Sequence, residues 1–216
     1  MYIRKAHQLT DQEAIHGLVA AYPLGAWVCQ GAGGQLIANH IPFVLDRSLG
    51  PQGTLVGHVS RANGVWRELA AGRPSVVMFQ GPQAYITPGW YPGKAAHGKV
   101  VPTWNYAVVH AHGVARAVED ADWLLVMLNR LTQAQEAAQA TPWQVADAPK
   151  PYIDALLRGI VGIAIPVDSL EAKLKASQDE APEDRLGTVA GLAQMPGDTA
   201  RCMGEWVKRA ADADAL

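Results

Sequence analysis

Cysteine is scarce in this sequence. Its 216 residues include two, Cys29 and Cys202, and their wide separation matches no metal-binding or redox spacing. We therefore expect neither a disulfide framework nor an oxidising compartment. Cys29 ends the apolar run 26–29, so it is predicted to be a small buried side chain.

Long apolar runs and an excess of positive charge are also missing. No stretch approaches the roughly 20 apolar residues of a membrane-spanning helix, and residues 1–7 lack the apolar centre of a signal peptide. We therefore expect a cytoplasmic protein without a membrane partner. The 18 Lys and Arg residues are balanced by 20 Asp and Glu residues and form no basic run. This charge pattern does not favour nucleic-acid binding, although a small patch could still bind a phosphate group.

Apolar residues are plentiful, and their spacing favours strands in the first half of the chain and helices in the second. Hydrophobic residues make up 49% of the sequence and charged residues 18%, which predicts a globular protein with a sizeable core. A capping box at Thr10 and Glu13 predicts a first helix that ends before Pro23, and Asn63 could cap a short helix that runs to about Ala71.

The other predicted elements follow from alternation and from helical periodicity. A turn at 81–82 and an irregular loop at 88–101 are expected from their glycines and prolines. The order of elements predicts an α+β fold, an antiparallel barrel with helices packed outside it. The predicted strands are 26–30, 35–45, 54–59, 75–80, 83–87, 103–118 (bulged at Gly113), 160–167 and 170–177, and the predicted helices are 122–139, 152–157, 184–192 and 199–211.

One candidate binding segment lies where a strand ends and a short helix begins. Ser60, Arg61 and Asn63 would lie beside free backbone N–H groups at a helix start. Such amides, together with a guanidinium group, can bind a phosphate. Ordinary capping by Asn63 with a surface Arg61 explains the same residues, so both interpretations stay open at this point.

Two further segments carry side chains that could contact a planar ligand. Thr103, Trp104 and Asn105 open a long strand, and an aromatic residue there could cover a flat ring or simply fill the core. Lys175 and Ser177 would point to one face of a strand, and Gln178 offers the donor and acceptor that a flavin pyrimidine edge requires. A solvated charged segment is the alternative interpretation of 175–178.

The histidines give no specific motif. His110 and His112 share one face of a strand, which could be half of a metal site, but no third ligand lies at a telling spacing and no metal is predicted. Asn39, His40 and His58 lie at strand positions that could flank a ligand. No Gly-x-Ser-x-Gly elbow, GxGxxG or Walker sequence is present, so a hydrolase triad and a Rossmann or P-loop site are disfavoured.

Taken in order, five segments closely resemble the PaiB-like family, which is also described as FMN-binding negative transcriptional regulators. Weaker similarity is present at 1–3, 157–162 and 183–187, so the resemblance covers residues 1 to about 193. The five segments are Ala-Asn-His-Ile-Pro at 38–42, Gly-His-Val-Ser-Arg-Ala-Asn at 57–63, Phe-Gln-Gly-Pro-Gln-Ala-Tyr-Ile-Thr-Pro at 79–88, Val-Pro-Thr-Trp-Asn-Tyr at 101–106 and Lys-Ala-Ser-Gln at 175–178.

The resemblance implies the split β-barrel that pyridoxine-phosphate oxidases and flavin reductases share. It also implies a homodimer with FMN at the subunit interface, formed by an FMN-binding domain at 1–193, with a helical extension at 194–216. Asp179 differs from the Asn of the relatives and adds a negative charge near the expected cofactor. By carry-over, the phosphate would be held by Ser60, Arg61 and Asn63, the cofactor lined by Thr103, Trp104 and Asn105, and the ring or ribityl chain contacted by Lys175, Ser177 and Gln178.

Three functions are compatible with these residues. The first is an FMN-binding regulator, although no helix-turn-helix is visible and the helices at 122–139 and 152–157 lack a basic recognition face. The second is an FMN-dependent oxidoreductase or flavin reductase that acts on a small molecule. The third is a haem-binding split barrel with His58, His110 or His112 as the axial ligand.

Overall fold

The computed structural model describes residues 1–69 and 72–213. The predicted end of the short helix at Ala71 and the last three residues of the predicted C-terminal extension, 214–216, lie outside the described residues. No helix in the described ranges is long and apolar enough to cross a membrane.

The described chain contains strands and helices in the order that the sequence predicted, strands first and most helices last. The strands are β1 (Leu24–Gln30), β2 (Leu36–Pro42), β3 (Val44–Asp46), β4 (Thr54–Ser60), β5 (Pro74–Ile86), β6 (Thr103–Val114), β7 (Arg116–Val118) and β8 (Ile160–Lys175). The α-helices are α1 (Gln12–Ala21), α2 (Val65–Glu68), α3 (Gly93–Ala96), α4 (Ala121–Glu136), α5 (Lys150–Leu157), α6 (Pro182–Gln194) and α7 (Asp198–Ala213).

The strands form one sheet in the order β2-β1-β5-β6-β8-β4-β3, with β7 pairing to β8. The pairs β1–β2, β1–β5, β3–β4, β4–β8 and β7–β8 are antiparallel. The fold is therefore α+β and of the antiparallel split-barrel type, as the sequence predicted.

Two of the predicted strands are divided in the structure, the first of them because the chain changes its pairing partner. The predicted strand 35–45 is divided at the buried Phe43. Before this residue the chain pairs with β1, and after it Val44 pairs with Val56 of β4. The predicted strand 103–118 is divided at Ala115. At Gly113 an added Cβ would lie 2.2 Å from the carbonyl oxygen of Pro166, so glycine permits a close approach of β6 to β8.

Two other predicted breaks do not occur. The predicted turn at 81–82 lies inside the continuous strand β5, where residues Gly81 and Pro82 are both buried. Proline tolerates this because its fixed φ is compatible with extended backbone. The predicted strands 160–167 and 170–177 are one strand, β8, since the chain continues extended to Lys175. The loop 88–101 is not wholly irregular, because it contains a short 3-10 turn and α3.

Helix starts are fixed by side chains close to the predicted ones. The Asp11 carboxylate, rather than Thr10, accepts a hydrogen bond from the backbone N–H of Glu13 at 3.0 Å. The Asp120 carboxylate caps α4 by accepting from the backbone N–H of Trp123 at 2.7 Å. Carboxylates suit these positions because they satisfy N–H groups that have no partner inside the helix.

The described chain divides into two compact units. The first unit contains residues Met1–Ile15, Gln80–Val109 and the segment from Ala172 onward. In it, α6 packs against α7, and the buried apolar side chains there include Leu192, Met203 and Val207.

The second unit contains residues His16–Phe79 and His110–Glu171. One part of its core is formed by Val56 of β4 with Leu124, Met127 and Leu157 of α4 and α5. Cys29 is buried on β1, as expected. Burial of these aliphatic side chains anchors the helices to the strands that carry the candidate site.

Two candidate cofactor-binding clusters

Half of the predicted site residues lie in the second unit, and we call them the Asn39 cluster. β2 positions Asn39 and His40, the end of β4 positions His58 and Ser60, and the turn before α2 positions Arg61 and Asn63. The Asn63 amide nitrogen donates to the Asn39 side-chain oxygen at 2.7 Å, and the Asn63 oxygen accepts from the backbone N–H of Val65 at 3.1 Å. Asn63 therefore accepts a hydrogen bond at the start of α2 and joins two segments that are 24 residues apart.

The Asn39 side chain has an unused hydrogen-bond donor. Its Nδ2 atom is buried and has no hydrogen-bond partner among the described residues. A buried amide N–H without an acceptor costs free energy. A ligand oxygen would remove that cost, so this position is suited to an anionic or hydroxyl group.

Arg61 is held by the protein itself. Its Nε donates to the carbonyl oxygen of Arg158 at 2.9 Å, one terminal nitrogen donates to that of Ile160 at 3.2 Å, and the other forms a 2.6 Å ion pair with Glu119. In the part of the chain that the structure describes, these bonds use three of the five N–H groups. The guanidinium is thus fixed in direction, with donor capacity remaining, and its side chain is 35% exposed.

The other members of this cluster differ in burial. Ser60 and His40 are exposed, and the Ser60 hydroxyl accepts from the backbone N–H of Ala62 at 3.3 Å. His58 is half-buried, and its Nδ1 has no hydrogen-bond partner among the described residues. Burial lowers the pKa of His58 below the usual 6.5, so its ring is neutral at pH 7 and can donate from one nitrogen and accept at the other.

The remaining predicted residues lie in the first unit, and we call them the Asn105 cluster. Asn105 on β6 is completely buried, and its amide nitrogen donates to the Ser177 hydroxyl at 2.8 Å. Its Oδ1 is buried without a partner among the described residues. Ser177 has a φ of 59°, a strained conformation for a residue with a side chain. A strained, buried contact beside an unused acceptor is typical of a ligand-binding position.

Lys175 and Gln178 flank Ser177. The Lys175 ammonium donates to the Thr103 hydroxyl, which joins the end of β8 to the start of β6. The Gln178 side chain accepts from the backbone N–H of Ala176 at 2.7 Å and donates to the carbonyl oxygen of Leu174 at 2.6 Å. Gln178 thus fixes the bend of the chain after β8.

Trp104 provides the aromatic surface of the Asn105 cluster. It is 49% exposed, so it is not the core residue of the alternative interpretation. Its indole N–H donates to the Gln83 side chain at 2.7 Å, and its ring meets Tyr85 edge to face at 6.0 Å between centroids. An oriented, exposed indole can cover a flat ligand.

The structure also supplies a partner for His110 and His112 that the sequence did not reveal. Glu171 of β8 lies beside them, with an oxygen 3.2 Å from the His112 Nε2. The carboxylate is 59 residues away in sequence, so no spacing motif could have indicated it. Only the pairing order of the strands, in which β6 and β8 are neighbours, brings it there.

The unused polar atoms of the two clusters match the chemistry of FMN. The phosphate and ribityl oxygens accept hydrogen bonds, which the Asn39 Nδ2 can donate. The pyrimidine edge of the flavin carries an N–H, for which the Asn105 Oδ1 is a buried acceptor. The residues present therefore fit this group.

Comparison with known families agrees with this match. Residues 1–169 match the family described as "Putative FMN-binding domain". The chain belongs to this FMN-binding family. It is 32% identical over 208 residues to the protease synthase and sporulation protein PAI 2 of Bacillus subtilis, with 95% of each chain covered. It is also 32% identical over 242 residues to an uncharacterized protein of Emericella nidulans, with 96% of each covered. FMN is thus the cofactor of this FMN-binding protein.

Solved structures show the same fold at low sequence identity. The FAD and haem binding protein of Mycobacterium smegmatis has a TM-score of 0.58 and 20% identity, covering 82% of this chain and 78% of that chain. A conserved hypothetical protein of Mycobacterium tuberculosis has a TM-score of 0.59 and 14% identity, covering 84% of this chain and 94% of that chain. These likenesses support the split-barrel fold of the FMN-binding chain.

Proposed function

We propose that this FMN-binding protein is a flavin-dependent regulator of the PaiB-like type, and that the Asn39 cluster and the Asn105 cluster each contact an FMN molecule. The observation that carries the assignment of residues is the pair of buried, unpartnered polar atoms, Asn39 Nδ2 and Asn105 Oδ1. One is a donor and the other an acceptor, as the two ends of FMN require. A cytoplasmic location belongs to the same proposal.

The Asn39 cluster binds the phosphate end of the cofactor. Asn39 donates through its unused N–H, and Arg61 contributes positive charge and its two remaining N–H groups. Ser60 adds a hydroxyl at the end of β4. Charge-assisted hydrogen bonds of this kind are about twice as strong as neutral ones, so this cluster supplies most of the preference for FMN over riboflavin.

The Asn105 cluster binds the ring end. Asn105 accepts from the pyrimidine N–H, the Lys175 ammonium favours electron density at that edge, and Trp104 excludes water from a ring face. When bound, FMN supplies hydride and single-electron chemistry. The side chains of this cluster orient the ring and set the charge around it.

The proposal includes a homodimer in which each FMN contacts residues of both protomers. Several large apolar side chains on strands are exposed, among them Leu36 at 77%, Trp104 at 49% and Tyr85 at 49%. Exposed apolar surface of this kind is a feature of subunit contacts. Sedimentation of the FMN-loaded chain should give the mass of a dimer, and a stable monomer that retains FMN would refute this part of the proposal.

We propose that regulation follows the redox or binding state of the flavin and not a DNA-reading helix. Support comes from α4, whose charged residues are Asp122, Arg130 and Glu136, so it has no basic face. Titration with sheared duplex DNA at physiological salt should show no binding. Tight binding by the purified protein would contradict this mechanism.

The direct test of cofactor identity is the absorbance spectrum of the purified protein. Flavin bands in the near-ultraviolet and blue are expected, and mass spectrometry of the molecule released by denaturation should identify FMN. An intense Soret band without flavin would favour the haem-binding alternative. To test the residues, Asn39→Asp and Asn105→Ala should each weaken FMN binding, whereas Asn129→Asp, an exposed substitution on α4 outside both clusters, should not.

A further inference from the structure

The outward face of two neighbouring strands carries a compact group of metal-ligand side chains. Burial alternates along β6, so that Val109, Ala111 and Gly113 are buried while His110 and His112 are half-exposed on the opposite face. Strand alternation fixes this arrangement, because successive side chains point to opposite sides of a sheet.

β8 adds a carboxylate to this face. Glu171 is half-exposed, and its Oε2 lies 3.2 Å from the His112 Nε2. One ligand atom from each of His110, His112 and Glu171 lies within 4.8 Å of the others, and the two imidazole centroids are 6.4 Å apart. Small side-chain rotations would bring all three ligand atoms to about 2.0–2.2 Å from one ion.

The donor set selects the class of ion. Two imidazoles and one carboxylate suit a borderline divalent transition metal, whereas Ca²⁺ and Mg²⁺ prefer oxygen ligands. Three protein ligands with one open position are the usual arrangement of zinc sites that bind an exchangeable molecule. We propose that His110, His112 and Glu171 form a binding site for one Zn²⁺ ion, with the fourth position occupied by water or another small ligand.

Metal coordination requires both imidazoles in their neutral form. The His112–Glu171 contact is worth little by itself, because the two side chains are 42% and 37% exposed and exposed ion pairs contribute at most about 1 kcal/mol.

Zinc affinity should be measured on the full chain without a histidine tag, after treatment with EDTA and dialysis. Competition against a chromophoric chelator should give one Zn²⁺ per chain. Substituted Co²⁺ should give the visible absorption bands of a tetrahedral site, at wavelengths beyond the flavin bands. His110→Ala, His112→Ala and Glu171→Gln should each weaken zinc binding at least about tenfold, since even outer-shell losses cost that much.

The matched control is His97→Ala. His97 is an exposed histidine in the loop after α3, where its Nδ1 accepts from the backbone N–H of Lys99. The His97→Ala variant should bind zinc with the affinity of the unchanged protein. Thermal unfolding without metal should verify that each variant folds. Absence of zinc binding, or zinc binding by all three cluster variants that equals that of the unchanged protein, would overturn the proposal. Either result leaves the FMN proposal intact, because the three residues lie outside both cofactor clusters.

Discussion

Replacing Arg61 by alanine tests whether its guanidinium recognises the phosphate of FMN or only fastens the chain. The structural part of its contribution can be worked from its contacts. Two hydrogen bonds to backbone carbonyls are lost, each worth about 1 kcal/mol, and the ion pair with the 55% exposed Glu119 adds at most about 1 kcal/mol. We therefore expect the free energy of unfolding to fall by about 1–3 kcal/mol.

The cofactor part of its contribution is separate. A hydrogen bond to a charged group is worth about 1.5–3 kcal/mol, which corresponds to FMN affinity weaker by about 10- to 150-fold. Riboflavin lacks the phosphate, so its affinity should change far less. Both ligands can be titrated by flavin fluorescence. A loss of folded protein would affect FMN and riboflavin equally, so it cancels in the ratio of the two affinities.

The partner substitution Glu119→Gln has the opposite expected effect. It removes a carboxylate next to Arg61, so FMN should bind more tightly while riboflavin is unaffected. Equal losses for FMN and riboflavin in Arg61→Ala, with no gain in Glu119→Gln, would refute the phosphate role. Arg61 would then be a structural residue that holds the start of β8.

Three other outcomes are expected. Asn105→Ala should weaken FMN and riboflavin by similar factors in the same titration, because Asn105 is assigned to the ring; a selective loss of FMN would contradict that assignment. Gly191→Ala should destabilise the protein by about 1–3 kcal/mol in chemical denaturation, since the new Cβ would lie 2.2 Å from the Trp90 ring. The control is Gly17→Ala, whose new Cβ would have no heavy atom within 4 Å, and it should leave stability unchanged or slightly increased. The pKa of His58 is lowered in the folded state, so the unfolded state binds more protons as the pH decreases through 6.5. The free energy of unfolding should therefore fall as the pH decreases through 6.5. In chemical denaturation measured on both sides of pH 6.5, His58→Gln should reduce this fall.

The chain positions of the predicted site residues followed from sequence, but their partners did not. Ser60, Arg61 and Asn63 do lie where a strand ends before a short helix, and Asn63 accepts a hydrogen bond from the first residue of that helix, whose N-cap is Gly64. The ion pair of Arg61 with Glu119 could not be predicted, because the two residues are 58 positions apart. Strand pairing, not local preference, brings them together.

Strand boundaries show the same limit. The alternation of apolar residues identified the strands, yet it gave breaks within β5 and β8 where none occurs. Glycine and proline indicate turns locally, but extended backbone accommodates both when neighbouring strands continue the ladder. Conversely, the break at Phe43 arises because the chain leaves β1 for β4, a choice that depends on residues distant in sequence.

The sequence alone determined the fold class, the family and its FMN cofactor, because hydrophobic periodicity and five ordered segments are local properties of the chain. The tertiary structure alone decided which polar atoms remain without partners, such as the Asn39 Nδ2 and the Asn105 Oδ1. It also placed Glu171 beside His110 and His112. Hydrogen-bond satisfaction and ligand geometry depend on which distant strands become neighbours, and that order is set by packing of the whole sheet.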